Sequence, residues 1–364
     1  MDVGIAGAGN IAMAYAALLE LDGHKAKVWS PSGRGTEALT AGRALNIEGK
    51  IEGDFYPKVA TSAKELAEVD VILLALPAYG HRRVIDALVP YIEARHTLII
   101  SGHLSLAALY LARKLADRGI QIPIVAWSTT LTTSKPRGEP NQYLVRAIRE
   151  KIDMATIPAT STNQALETCV ALFGNRFNVK DDILTIALSN INPQNHLAIA
   201  LCNLTRIERG ENWGQNTMAA TSTVGGYIEA MDGERLAVAN AYGKTVRTIL
   251  DHYRLSFGVE EMSVAAASAK LVENGGDPTG PGDLETRWIT EDAPFGLVPT
   301  IYLADLAGVP VPLHKSSLTI INACCGRDFA AANDILPELG LLDLKALPAL
   351  LKGGYLHRSA RYDS

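Results

Sequence analysis

Cysteine is scarce in this 364-residue chain: Cys169, Cys202, Cys324 and Cys325 are the four present, and none stands in a CxxC spacing. That excludes a disulfide framework and suggests no zinc site, so the thiols read as reduced in a cytoplasmic protein. An uninterrupted apolar run of about 18 residues is also lacking, and no membrane span is expected. Positive charge is not in excess: 34 Lys and Arg face 39 Asp and Glu, for a net charge of −5. A nucleic-acid surface needs clustered cations to displace phosphate counterions, so that partner class is excluded, although a few local arginines suffice for small anions. Internal repeats, charge blocks and low-complexity linkers are absent. The apolar N-terminus lacks the basic flank of a signal peptide and is broken by glycines and Asn10. At 48% hydrophobic residues, the chain has apolar material for cores in two domains of ordinary size.

What is present begins at the N-terminus. Asp2 to Ala6 is a short apolar run, followed by Gly7-Ala8-Gly9-Asn10-Ile11-Ala12 and an apolar helical stretch through Leu19. This is strand, glycine turn and helix with a GxGxxA match. Gly7 allows the tight turn, Gly9 lets the backbone approach a pyrophosphate, and Ala12 allows helix and strand to pack closely. The free N–H groups of the first helical turn, from Asn10 and Ile11 onward, then face the phosphates. The next strand, Lys25 to Trp29, should end beside the adenosine ribose. A free 2′-hydroxyl is usually held there by Asp or Glu, whereas Ser30-Pro31-Ser32-Gly33-Arg34 offers two hydroxyls and a guanidinium. Ser30, Ser32 and Arg34 suit a 2′-phosphate, so NADP is favoured over NAD; the competing reading is a solvated loop.

Val69 to Ala75 reads as a parallel strand buried on both faces, ending in Leu76-Pro77-Ala78-Tyr79-Gly80-His81. Leu76 and Pro77 then fall at the cofactor cleft, and His81 either joins it or lies on the following helix. Further strands are expected at 97–101, 124–128, 151–157 and 176–179, with a helix over 104–118. The hydroxyl-rich run from Ser128 to Ser134 reads as a strand edge or turn, with a substrate-carboxylate contact as the alternative. The expectation is an α/β chain: residues 1–183 as an N-terminal Rossmann-type dinucleotide-binding domain and 184–364 as an all-helical C-terminal domain.

The second half opens with Ile191-Asn192-Pro193-Gln194-Asn195-His196. Asn192 is expected as the N-cap and Pro193 at the first helical position. His196, Ala200, Asn203 and Ile207 share a helical stripe, in which the small Ala200 leaves room for a ligand beside His196 and Asn203. A lone histidine on a helix is more often a satisfied core or surface residue. Arg206, Glu208, Arg209 and Glu211 read as a solvated cluster, 225–242 and 245–255 as helices, and 273–283 as a loop. In the segment that follows, Arg287 and Asp292 stand five apart, and Pro294 biases Ala293 away from helix, so Asp292 is expected at an element's end.

Together these segments resemble the octopine/nopaline (opine) dehydrogenases over nearly the whole chain. The resemblance rests on GAGNIA and LPAYGH, on Asn192-Pro193 and His196 continuing to Asn203, on Glu234-Arg235-Leu236-Ala237, and on Arg287 to Pro299. It implies an NAD(P)H-dependent reductive condensation of an amino acid with a 2-oxo acid such as pyruvate or 2-oxoglutarate. It further implies His196 and Asp292 as the catalytic pair, Arg287 binding a substrate carboxylate, and substrate bound between the two domains. Asn192 and Asn203 are secondary substrate-binding candidates. No metal is implied.

Three alternatives stand beside this reading. One is an opine dehydrogenase that forms metallophores. Another is a simple 2-oxo or 3-hydroxy acid reductase on the same two-domain plan, although such enzymes tend to use Lys with Asn where this chain has His196. The third is a non-catalytic NADP(H) sensor. Oligomeric state is open, with the Thr217 to Gly226 segment reading either as a helix contact, for instance in a homodimer, or as a loop.

Overall fold

The structure is a computed structural model and describes residues 1–340 and 342–356. The chain divides into two compact units, one formed by Met1–Ala187 with the described residues from Glu338 onward, the other by Leu188–Pro337.

The strands of the first unit are β1 (Asp2–Ala6), β2 (Lys25–Trp29), β3 (Leu45–Gly49), β4 (Gly53–Phe55), β5 (Lys58–Val59), β6 (Val71–Leu74), β7 (Thr97–Ile100), β8 (Ile124–Trp127), β9 (Thr132–Pro136), β10 (Gln142–Ile148), β11 (Ile152–Ile157) and β12 (Phe177–Val179). Eight form one sheet in the order β12-β11-β8-β7-β6-β1-β2-β5, parallel except where β11 runs antiparallel to β8. Every residue of β6 and β7 is buried, which is why both read as unbroken apolar runs. Val3 of β1 faces Ala26 on one side and Val71 on the other. The chain therefore leaves β1 for β2 in one direction and returns to β6 in the other. At such a switch point a crevice opens beyond the carboxyl ends of the strands.

A second sheet, ordered β4-β3-β10-β9, was not foreseen. The Ser128 to Ser134 run enters it as the start of β9, in keeping with the plain strand reading. Tyr15, on the helix Asn10–Leu21, ties these layers together. Its ring meets Trp127 and Phe173 edge-on at 6.1 and 6.0 Å. Its hydroxyl bonds the Ser101 hydroxyl (2.7 Å) and accepts from the Leu131 N–H (2.8 Å). Burial pushes that phenol up to about 12.

The all-helical domain expected to run to the end of the chain instead gives way at Glu338, where the chain rejoins the first unit. Arg82 holds the Glu338 carboxylate at 2.6 Å, and Arg113 donates to the carbonyls of Glu338 and Leu339 (2.7 and 2.9 Å). At Gly354 a Cβ would stand 2.4 Å from the Gln121 side-chain oxygen.

The second unit is helical around Ser222–Ala241. This helix crosses Val264–Glu273 so closely that a Cβ at Gly225 would stand 2.8 Å from the Ala265 nitrogen. Arg235 is fully buried on the same helix. It pairs with Asp232 (2.9 and 2.7 Å) and donates to the carbonyls of Leu188 and Arg247, so its charge is matched on every recorded side. Among the described residues no helix is long and apolar enough to cross a membrane.

Candidate active site

In the first unit, three segments meet at the carboxyl end of β1. Gly7 has φ +124°, and a Cβ there would stand 2.3 Å from the Ala75 carbonyl oxygen, so only glycine fits between β1 and the end of β6. Leu76 lies against it; the Leu76 Cβ would be 3.4 Å from a Cβ at Gly7. Gly9, the N-cap of the helix Asn10–Leu21, is different, because nothing lies within 4 Å of where its Cβ would be. That open space, faced by the N–H groups of Asn10 and Ile11, fits a pyrophosphate. The Asn10 amide is already engaged, donating to the Ser134 carbonyl, which anchors the glycine turn to β9.

The loop after β2 packs on the same turn, since a Cβ at Gly35 would stand 2.7 Å from the Ala8 carbonyl oxygen. Its Ser30 and Ser32 hydroxyls bond each other at 3.2 Å. The Arg34 side chain has no hydrogen-bond or ion-pair partner among the described residues. An acid does stand nearby: Glu37, which sequence reasoning passed over, accepts the Gly35 N–H at 2.6 Å and thereby ties the loop. Pro77 precedes a single helical turn at Ala78–Gly80. His81 is buried at the start of the following helix with Nε2 3.2 Å from the Leu76 carbonyl, so it braces this loop from within.

Two histidine–carboxylate pairs of the second unit can be compared. His196 Nδ1 lies 2.9 Å from Asp292 Oδ2. The carboxylate can only accept, so Nδ1 carries the hydrogen and Nε2 presents its lone pair. His314 Nδ1 likewise donates to Glu234 Oε2 (2.7 Å), while its Nε2 accepts from the Gln194 amide (3.1 Å). Burial alone would raise the Glu234 carboxyl. Bonds from His314 and from the backbone N–H groups of Leu313 and His314 outweigh burial and hold it below its ordinary value. Exposure separates the two pairs. His314 is wholly buried with both nitrogens engaged, whereas the His196 side chain is 21% exposed with Asp292 at 9% behind it. Of these two histidines, His196 is the one that can present a ring nitrogen to a reactant.

Local packing brings His196 and Asp292 together. Pro294 does not keep Ala293 out of helix as expected: after the helix Arg287–Thr290 both residues lie inside a π-helical turn, Ala293–Leu297, although Asp292 does stand at an element's end, as its N-cap. Pro193, in the first turn of the His196 helix, packs on that turn so tightly that a Cβ at Gly296 would stand 2.2 Å from its Cγ. The π-turn and the His196 helix are thus locked at a spacing that lets the imidazole reach the carboxylate.

Arg287 precedes Trp288 on the same short helix. Its Nε donates to Glu291, whose side chain is only 3% exposed, while the Arg287 side chain itself is 66% exposed. Trp288 stacks face to face on His196, with ring centroids 4.6 Å apart and planes 3° from parallel. Neither Glu291 nor Trp288 carries a sequence signal beyond its place between Arg287 and Asp292.

The two asparagines behave differently from expectation. Helix Asn192–Cys202 begins with Asn192 inside it and Ile191 at the cap, with no side-chain cap bond. The cap acceptor is Asn190, whose side-chain oxygen takes the Asn192 N–H at 3.1 Å. Asn203 ends the helix, its buried amide donating to the Ile199 carbonyl at 2.9 Å. The helix therefore breaks before the expected stripe reaches Ile207.

A largely parallel sheet with a glycine turn at its switch point, followed in the chain by a helical unit carrying a partly exposed histidine backed by an aspartate, is the arrangement of a two-domain dinucleotide-dependent oxidoreductase. Residues 179–325 match the model of the NAD/NADP octopine/nopaline dehydrogenase alpha-helical domain, and residues 3–103 match that of ketopantoate reductase PanE/ApbA. The chain is thus similar to the octopine/nopaline (opine) dehydrogenases in its second half and, over nearly its whole length, to a curated opine dehydrogenase. It is 29% identical to an opine dehydrogenase of Arthrobacter sp. (strain 1C), covering 94% of this chain and 96% of that one. It is 25% identical to the ocs protein of Agrobacterium tumefaciens (strain Ach5) over 93% and 95%. In fold it matches a solved octopine dehydrogenase with NADH and L-arginine at a TM-score of 0.79, with 18% identity and 97% and 98% coverage. Yersinopine dehydrogenase with NADP+ bound gives 0.69, with 15% identity and the same coverage.

Proposed function

We propose that this protein catalyses the reductive condensation of an amino acid with a 2-oxo acid, pyruvate or 2-oxoglutarate being the candidates, to an N-(carboxyalkyl) amino acid. The amino group adds to the oxo carbon and water leaves, giving an imine; the imine carbon then takes a hydride and its nitrogen a proton. The nicotinamide cofactor, held by the glycine turn of Gly7 and Gly9, the N–H groups of Asn10 and Ile11, and the Leu76-Pro77 loop, supplies the hydride when bound. NADP is the favoured form, because Arg34 carries an unpartnered cation beside the Ser30 and Ser32 hydroxyls.

The observation that carries the reading is the His196–Asp292 pair. Dehydration of the carbinolamine and reduction of the imine both need a proton moved at nitrogen or oxygen, and Nε2 of His196 is the group placed to move it. Asp292 fixes the tautomer and stabilises the imidazolium that forms. Arg287, braced through Nε by the buried Glu291 carboxylate, is assigned a substrate carboxylate, which would align the reacting carbon. Asn192 and Asn203 are left with helix-start and helix-end roles and are the weaker substrate candidates.

The match of residues 3–103 to a ketopantoate reductase model supports a second reading, direct reduction of a 2-oxo acid. A screen of NADPH oxidation separates the two. We expect oxidation only when an amino acid and a 2-oxo acid are both supplied, and a loss of roughly 100-fold or more in His196→Ala with cofactor binding retained. Oxidation with the oxo acid alone would establish the simple reductase, and no turnover with any pair would leave a binding protein.

A further inference from the structure

The His196 ring is tethered at Cβ and held at Nδ1 by its hydrogen bond to Asp292, so the motion left to it is a tilt about the line joining those two atoms, and that tilt carries Nε2 through an arc. A contact on the ring face limits the tilt. Trp288 lies on the ring face, 4.6 Å away and 3° from parallel. The indole is itself held by Trp213, which meets it edge-on at 6.1 Å and 81°, an attractive geometry because a ring edge is positive and a ring face negative. Trp213 in turn donates from Nε1 to the Pro281 carbonyl at 3.2 Å, and Gly280 lies flat on its ring, where a Cβ would come within 2.5 Å. The glycine- and proline-rich loop at 273–283 thus seats Trp213, Trp213 seats Trp288, and Trp288 covers His196.

We propose that Trp288 is a positioning residue for His196, setting the plane of the imidazole so that Nε2 points in one direction while Asp292 sets its tautomer. The inference rests on the assignment of proton transfer to His196. The indole face also attracts the imidazolium formed during turnover, so the same contact serves both charge states of the ring. Leucine at 288 keeps apolar bulk but loses the flat face, and phenylalanine keeps a smaller face.

The test uses the full-length protein with selectively carbon-13-labelled histidine. The His196 ring resonance, identified by its disappearance in His196→Asn, should be one sharp line displaced upfield by the indole ring current. It should move downfield and broaden in Trp288→Leu and stay largely in place in Trp288→Phe. In the assay, Trp288→Leu should lower kcat by about 10- to 100-fold with KM and NADPH affinity nearly unchanged, and Trp288→Phe should recover most of that loss. Gly280→Ala, which displaces Trp213, should shift the resonance in the same direction to a smaller extent.

A His196 line at the ordinary histidine position in the unsubstituted protein, or a Trp288→Leu enzyme with unchanged kcat, would overturn the proposal. So would a decline in Trp288→Leu shared by KM, cofactor affinity and thermal stability, which marks a merely structural residue. A protein that turns over no substrate pair yet shows the displaced line, broadened in Trp288→Leu, would contradict the proposed reaction and still support the fixed ring.

Discussion

Arg34 shows how much can rest on one side chain. In the proposed NADP reading, a 2′-phosphate adds two negative charges to the adenosine end of the cofactor, and the Arg34 guanidinium would match them through paired N–H donors. Charge-assisted bonds of this kind contribute about 1.5–3 kcal/mol each. Arg34→Ala should therefore weaken NADPH binding by roughly 10-fold or more while NADH changes little. Isothermal titration with the two cofactors checks this, and equal weakening would remove the 2′-phosphate from the loop after β2. The strand, glycine turn and helix at this end were legible in the sequence because GxGxxA is a local pattern. Glu37 was not legible as a loop tie, because its bond to the Gly35 N–H depends on how the turn closes. Trp288 was invisible for the same reason: ring stacking on His196 is a tertiary contact between segments about ninety residues apart in sequence, with no spacing rule to reveal it.

At the scale of elements, the His196–Asp292 distance is set by the contact between Pro193 and the π-turn at Ala293–Leu297. A methyl group at Gly296 would overlap Pro193 and push the two elements apart. Overpacking of this kind costs about 1–3 kcal/mol, so Gly296→Ala should lower the unfolding free energy measured by urea titration by that amount and reduce kcat further than the stability loss explains. Gly226 is the control. It lies on the helix Ser222–Ala241 with nothing within 4 Å of a Cβ, so Gly226→Ala should be neutral or slightly stabilising and leave turnover unchanged. A Gly296→Ala enzyme with wild-type kcat would show that the pair tolerates the displacement. The main-sheet strands were readable because burial on both faces leaves continuous apolar runs. The second sheet was not, because β3 finds its partner β10 about a hundred residues later and both strands mix polar and apolar residues. The helix starts one residue earlier than expected, at Asn192 with Ile191 at the cap, because Asn190 supplies the acceptor for the Asn192 N–H.

For the whole molecule, the first unit carries the glycine turn and its neighbouring loops, and the second carries His196, Asp292 and Arg287. The order of these parts along the chain was legible, since a Rossmann-type pattern gives way to helical periodicity near residue 184. The return of the chain to the first unit at Glu338 was not, because it depends on a few bonds from Arg82 and Arg113 rather than on any change in composition. The central claim is that hydride goes to an imine carbon formed from two substrates and that His196 manages the accompanying proton. The most direct test is to supply NADPH deuterated at C4 on the transferred face with an amino acid and a 2-oxo acid, and to locate the label by mass spectrometry. The account predicts one deuterium on the new carbon–hydrogen bond of a secondary-amine dicarboxylate; deuterium in a 2-hydroxy acid would contradict it.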